Sequence, residues 1–93
     1  MKAIWNNTVI AESSDIVIVE NNFYFPPESV KMEYLKKNGA TYTCPWKGVC
    51  DYYDVTVDGA VSKNGAWMYP VPKELAEKIK GRFAFWQGVE VVN

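Results

Sequence analysis

Turn-forming residue pairs that recur at short spacing are the feature that most constrains how this chain can fold. These pairs are Asn6-Asn7, Asn21-Asn22, Asn38-Gly39, Asp58-Gly59 and Asn64-Gly65. Asn, Asp and Gly accept the positive φ angles of tight hairpin turns. The stretches between the pairs, such as Thr8–Glu12 and Val49–Val57, are rich in β-branched and aromatic residues, as strands are. We therefore expect a mainly β fold of about seven to nine short antiparallel strands, either barrel-like or built as two sheets.

Two segments are candidates for helices. Lys73–Lys80 is the clearer one, because an α-helix there would bring Leu75 and Ile79 onto one face with charged neighbours outward. We expect both side chains to pack onto the sheet. A short helix near residues 27–36 is the second candidate, since Pro27 suits a first helical position, although the alternation later in that segment also suits a strand.

The composition limits the classes of function. The chain has 93 residues, which suits a single domain over residues 1–93. A net charge of −1 argues against nucleic acid as a partner, because nucleic-acid binding needs a basic surface. The absence of histidine excludes histidine chemistry, and two cysteines do not complete an ordinary zinc site, so we predict no metal and no cofactor. No segment resembles a membrane span or a signal peptide, and we expect a soluble, cytoplasmic protein.

Two sequence motifs carry a family resemblance. Cys44–Gly48 reads Cys-Pro-Trp-Lys-Gly and is followed by Tyr52-Tyr53, and Ala66–Pro70 reads Ala-Trp-Met-Tyr-Pro. With these motifs the chain resembles, from Ala3 to Val92, the family catalogued as domain of unknown function 427. The resemblance implies a small, single-domain, mostly β protein that stands alone in the cytoplasm. It implies no settled activity.

That family also carries a nucleotidyltransferase-like label, which the acidic residues do not support. Such enzymes hold magnesium with carboxylates two residues apart on one strand face. Asp51 and Asp54 are three residues apart, so on a strand they point to opposite sides. Asp58 is explained by its turn with Gly59.

The two cysteines lie in a predicted hairpin around Pro45–Gly48. If Cys44 pairs with Val49, strand alternation puts Cys44 and Cys50 on opposite faces, so we expect two reduced thiols and no disulfide. Cys44 would then share the apolar face as a buried packing residue. The functional alternative makes Cys44 a thiolate nucleophile, with Lys47 lowering its pKa or acting as the base.

Lys47 is the strongest candidate for a functional residue. The turn holds it beside Trp46, where an ammonium suits a carboxylate or phosphate group, or becomes a low-pKa amine if it is desolvated. Trp67 and Tyr69 are two residues apart and would share one strand face. The predicted ligand-binding residues are Lys47, Trp46, Tyr53, Trp67 and Tyr69.

Three functions follow from these residues and stay open. The first is binding of a small, anionic ligand or metabolite at the Cys44–Gly48 turn. The second is an enzyme that uses Cys44 or Lys47 as nucleophile or base. The third is a protein–protein interaction module that docks a partner through exposed aromatic side chains. The sequence identifies neither a ligand nor an oligomeric state.

Overall fold

Nine strands, of three to ten residues each, form most of the fold. The computed structural model describes every residue, Met1–Asn93. The strands are β1 Lys2–Trp5, β2 Thr8–Glu12, β3 Val17–Val19, β4 Asn22–Tyr24, β5 Leu35–Cys44, β6 Gly48–Val57, β7 Ala60–Met68, β8 Phe83–Phe85 and β9 Glu90–Val92. Three short 3₁₀ helices complete the regular structure: Pro27–Ser29, Met32–Tyr34 and Glu74–Ile79. The prediction of a mainly β domain with about seven to nine strands is confirmed.

The strands form three antiparallel sheets, none of which closes into a barrel. The main sheet has the order β5-β6-β7-β8, the second sheet has the order β2-β1-β9, and β3 and β4 form a separate hairpin. Phe25, just after β4, exchanges backbone hydrogen bonds with Phe83 of β8 at 2.8 and 2.9 Å. These bonds tie the β3–β4 hairpin to the edge of the main sheet.

Several strand connections are tight turns built on positive φ angles. Asn6-Asn7 joins β1 to β2 with φ angles of 48° and 60°, and Asp58-Gly59 joins β6 to β7 with 49° and 81°. Both turns were predicted. The turn between β3 and β4 is formed by Glu20-Asn21, with φ angles of 53° and 63°, because Asn22 already belongs to β4.

Two predicted turns are bulges inside long strands. Asn38-Gly39 lies within β5 and Asn64-Gly65 within β7, at points where the pairing register shifts. The Asp54 carboxylate of β6 stands between them and accepts hydrogen bonds from Asn38 Nδ2 at 2.8 Å and from the Asn64 backbone N–H at 2.9 Å. A bulge and a hairpin turn both use positive φ angles, so the same residue pairs serve both.

The β5–β6 hairpin is one residue tighter than predicted. Cys44 pairs with Gly48, not with Val49. Gly48 permits this geometry because its φ is 109°, which other residues rarely adopt. The one-residue shift turns Val49 outward and brings Cys50 inward, to the same side as Cys44. Both cysteines are free thiols, as expected, but the predicted reason for it, opposite faces, is wrong.

The segment predicted as an α-helix is a 3₁₀ helix over Glu74–Ile79, interrupted at Ala76. A 3₁₀ helix has about three residues per turn, so Ala76 and Ile79 lie on one line and are buried. Leu75 has 82% of its surface exposed, and the prediction that it packs on the sheet is wrong. In place of a single second helix near residues 27–36, the structure has the other two 3₁₀ turns, and residues 35 and 36 already belong to β5. None of these helices has the length and apolar character needed to cross a bilayer.

Two apolar clusters pack against opposite faces of the main sheet. The first lies between the main sheet and the second sheet and includes Ile10, Phe25 and Val55. The second lies between the other face of the main sheet, the β3–β4 hairpin and the Glu74–Ile79 helix, and it includes Tyr24. The main sheet is thus covered on both faces, and the candidate site opens from the side of the second cluster.

Candidate functional site

One cavity opens on the side of the main sheet that carries the second cluster. It has a volume of about 350 Å³ and is the only one in the domain. Its lining residues come from the β3–β4 hairpin, the Cys44–Gly48 turn and the main sheet with its flanking segments: Asn22, Tyr42, Lys47, Cys50, Tyr52, Trp67, Tyr69 and Trp86. Lys47 is the only one of these residues that is charged at neutral pH.

Aromatic rings form the wall of the cavity. Tyr52 of β6 and Trp67 of β7 are paired across the sheet. Trp86, just after β8, stacks nearly parallel to Tyr52 at 6.3 Å between centroids and meets Trp67 edge-on at 5.6 Å. The Trp67 indole N–H donates to the Tyr24 hydroxyl at 3.2 Å, and the Trp86 indole N–H donates to the Asn64 carbonyl at 2.6 Å. These bonds fix the orientation of both indoles.

The Cys44–Gly48 motif builds the charged end of the cavity. Its turn is fastened to the segment after β7, because the Lys73 backbone N–H donates to the Lys47 carbonyl at 2.9 Å and the Lys73 ammonium donates to the Pro45 carbonyl at 2.6 Å. Gly48 lies so close to this segment that a Cβ atom would meet its backbone at 3.4 Å. The turn is therefore packed against the protein, and the Lys47 side chain is enclosed.

Lys47 is a buried ammonium, with only 9% of its side chain exposed. Its Nζ atom lies 5.5 Å from the ring centroid of Trp46 and 5.7 Å from that of Tyr69, within the range of cation–π attraction. It donates a hydrogen bond to the carboxylate of Glu20. Burial alone would lower the pKa of Lys47, but the hydrogen bond to the Glu20 carboxylate and the negative charge of that group leave the pKa above its ordinary value. Lys47 is therefore not the low-pKa amine considered from the sequence.

Glu20 reaches Lys47 from the tip of the β3–β4 hairpin. One carboxylate oxygen accepts the bond from Lys47, and the other accepts from the Trp46 indole N–H at 3.4 Å. The bond to Lys47 is the main cause that lowers the pKa of Glu20. Because 50% of the Glu20 side chain is exposed, the ion pair joins a buried cation to a half-exposed anion.

The other polar groups near the cavity are uncharged at neutral pH. Burial raises the pKa of the Cys50 thiol, which lines the cavity. Burial also raises the pKa of the Tyr69 hydroxyl, far above its ordinary value. Cys44 is buried in the second cluster and does not line the cavity. The sulfur that a ligand would meet is thus the neutral thiol of Cys50.

The structure brings together three of the five predicted ligand-binding residues, which are Lys47, Trp67 and Tyr69. Trp46 lies outside the lining, beside the ion pair. Tyr53 is on the opposite face of β6, in the first cluster, with its ring 5.1 Å from that of Phe83. The alternation of β6 directs Tyr52, and not Tyr53, toward the cavity.

The sequence prediction missed a further set of residues at the site, which are Glu20, Asn22, Tyr42, Cys50, Tyr52 and Trp86. The correct hairpin register would have identified three of them, because Cys50 lies opposite Tyr42, and Tyr52 follows on the same face. Glu20 and Trp86 have no local sequence pattern that marks them. Only the tertiary packing of the β3–β4 hairpin and of β8 brings them to the cavity.

The three aspartates considered from the sequence for a magnesium site lie away from the cavity. Asp51 pairs with Lys37 at 3.4 Å, Asp54 holds the two bulges, and Asp58 forms the β6–β7 turn. None of the three lines the cavity. Their positions do not build the magnesium site that a nucleotidyltransferase-like activity would need.

The fold and the site define a small antiparallel β domain with one aromatic-walled cavity and a lysine–glutamate pair at its end. The model of the family described as domain of unknown function (DUF427) matches residues 1–93, and the chain belongs to that family. The description of the family names no activity. Comparison of the chain with curated proteins finds no match.

Proposed function

We propose that the domain binds a small molecule that carries an anionic group on a flat, apolar ring, and that the cavity beside the Cys44–Gly48 turn is its site. The observation that carries the proposal is the position of Lys47, a buried ammonium at the end of an aromatic-walled cavity. The ring of the ligand packs on Trp67 and Trp86, and its anionic group accepts a hydrogen bond from Lys47.

The size and lining of the cavity support a small molecule as the ligand. Small-molecule sites span roughly 300–1,000 Å³ and combine apolar walls with a few placed polar groups. A volume of about 350 Å³ is at the lower end, which favours a ligand of one or two fused rings. Tyr42 and Trp86 line the cavity but are 54% and 45% exposed, so they lie where a ring would enter.

The unused hydrogen-bonding capacity of Lys47 supports an acceptor group on the ligand. An ammonium has three N–H donors, and Glu20 is the one hydrogen-bond acceptor of Lys47 in the structure. Donors that are left unpaired in a buried place are unfavourable, so an acceptor from a ligand stabilises them. Since the charged residue of the lining is a cation, Lys47 attracts an anionic acceptor more strongly than a neutral one.

The same observations disfavour an enzyme that uses the predicted nucleophiles. A lysine nucleophile or base needs a neutral amine. Although burial acts to lower it, the pKa of Lys47 is above its ordinary value because of the bond to Glu20. Cys44 does not line the cavity and so does not meet a ligand there. Docking of a partner protein through exposed aromatic side chains stays a prediction.

Calorimetry with 2-naphthoate, and with 2-naphthamide as its neutral match, tests the proposal. We expect 2-naphthoate to bind the wild-type domain and Lys47→Met to weaken that binding by about tenfold or more, because a hydrogen bond to a charged group is lost. The affinity for 2-naphthamide should change less. The fold should survive, since the Glu20 carboxylate left behind is half-exposed and can be hydrated.

Lys37→Met is the matched control for this experiment. Lys37 also pairs with a carboxylate, that of Asp51, but it is exposed and lies outside the cavity. Its replacement should leave both affinities unchanged. Failure of the wild-type domain to bind 2-naphthoate, or equal binding by the wild type and Lys47→Met, would contradict the proposal.

A further inference from the structure

We propose that Glu20 is a displaceable internal competitor for the anionic group of the ligand, and that it therefore determines which ligands the site accepts. This inference rests on the proposed function. An anionic ligand must take Lys47 from Glu20, whereas a neutral ligand of the same shape leaves the pair in place. Glu20 thus weakens the binding of anionic ligands but not of neutral ones. Among anions, only those that also fill the aromatic cavity replace Glu20 on Lys47.

The β3–β4 hairpin places Glu20 where it can leave. Glu20 is the first residue of the two-residue turn, so its side chain projects from the tip of the β3–β4 hairpin, at the opposite end from the Phe25–Phe83 bonds that tie the hairpin to β8. Its bonds in the structure go to two side chains, Lys47 and the partly exposed Trp46. Asn22, on the same hairpin, lines the cavity, so the competitor and the cavity wall share one element.

Lys47 and Glu20 differ in how well water can hydrate each side chain once the ion pair is broken. The Lys47 side chain is 9% exposed, and water cannot readily replace its carboxylate. The Glu20 side chain is 50% exposed, so its carboxylate is hydrated once it turns away. Exposed ion pairs contribute little to stability, whereas a buried charge left without a partner is strongly unfavourable. When a ligand anion binds Lys47, release of the half-exposed Glu20 is therefore easier than movement of Lys47 out of its buried position.

The charges at the site lead to the same conclusion. Lys47 and Glu20 together are neutral. If a ligand anion bound while Glu20 stayed, two negative groups would share one cation in a poorly hydrated place and would repel each other. If Glu20 leaves, the ligand anion restores a neutral pair. A ligand with an amide in place of the carboxylate adds no charge, so it uses a spare donor of Lys47 without displacing Glu20.

Replacement of Glu20 tests this inference with the same two probes. Glu20→Gln removes the charge and keeps the shape, and we expect its affinity for 2-naphthoate to rise about fivefold, which corresponds to the upper value for an exposed ion pair. Its affinity for 2-naphthamide should stay within about twofold of the wild type, since no carboxylate was displaced there. Glu20→Asn is a second variant, because Asn suits the φ of 53° at this position, and it should act in the same direction.

Glu12→Gln is the matched control. Glu12 also pairs with a lysine, Lys2, at 4.0 Å, but on the second sheet and outside the cavity, so its replacement should leave both affinities unchanged. The inference is overturned if 2-naphthoate binds through Lys47 but Glu20→Gln and Glu20→Asn bind it no more tightly than the wild type does. If 2-naphthoate binds neither the wild type nor the Glu20 variants, or if Lys47→Met binds it as tightly as the wild type does, the proposed function itself fails and the inference with it.

Discussion

Replacing Ile79 by alanine should destabilise the domain far more than the same change at Leu75, although the two residues are close in sequence and similar in size. Ile79 is fully buried in the second cluster, whereas Leu75 is 82% exposed. The change at Ile79 removes three buried carbon atoms, at about 0.8 kcal/mol each, and leaves a cavity. We expect a loss of about 3–4 kcal/mol in the free energy of unfolding for Ile79→Ala. Leu75→Ala should stay within about 0.5 kcal/mol of the wild type.

Urea unfolding, followed by tryptophan fluorescence, measures both losses. For a domain of this size each kcal/mol corresponds to a shift of about 4–8 °C in the melting temperature, so thermal unfolding gives a second measurement. Equal losses for the two variants would show that the segment is an α-helix with both side chains on its packed face. A larger loss for Leu75→Ala than for Ile79→Ala would refute the 3₁₀ assignment and the packing derived from it.

Three further results are expected. Gly48→Ala should lower stability by about 1–3 kcal/mol, because alanine is strained at a φ of 109°, and an unchanged urea midpoint would contradict the geometry of the turn. Hydrogen bonds from the backbone N–H of Asn64 and, as the smaller cause, from the Asn38 side chain lower the pKa of Asp54. The contribution of the Asp54 carboxylate to stability should therefore be complete above the ordinary pKa of about 3.9 and be lost as the pH falls through the lowered pKa. Asp54→Asn should flatten this dependence as the pH falls below about 4, measured by urea unfolding, and an unaltered slope would exclude the role of the carboxylate. Cys50 should react slowly with a thiol reagent in the native domain and quickly in urea, since burial raises its pKa, and equal rates would contradict that burial.

The sequence was sufficient to predict a mainly β fold and its approximate number of strands, but not how each turn pair is used. Asn6-Asn7 and Asp58-Gly59 form hairpin turns, whereas Asn38-Gly39 and Asn64-Gly65 form bulges, although all four pairs have similar local chemistry. The difference arises from Asp54, whose carboxylate bonds to both bulges from the strand between them. A contact of this kind joins residues far apart in the chain and leaves no local pattern.

The sequence predicted only those residues of the candidate site that follow from the motif or from strand alternation. Lys47 is fixed by the motif, and Trp67 and Tyr69 share one face because they are two residues apart. The error of one residue in the β5–β6 register exchanged Tyr53 for Tyr52, since each step along a strand changes the face. The burial of Lys47 could not be predicted from the sequence either, because it results from packing of the turn against the segment after β7.

Nuclear magnetic resonance of the tryptophan indole N–H groups, during titration with 2-naphthoate, tests the proposed binding site most directly. Two of the four indoles line the cavity, those of Trp67 and Trp86, while the Trp5 indole bonds to the Ala60 carbonyl outside it. We expect the Trp67 and Trp86 signals to shift with one common saturation curve, the Trp5 signal to stay in place, and the same shifts in Lys47→Met to need a 2-naphthoate concentration about tenfold higher or more. Signals of Trp67 and Trp86 that do not move, or shifts that saturate in Lys47→Met at the same 2-naphthoate concentration as in the wild type, would contradict the proposal that the cavity binds an anion.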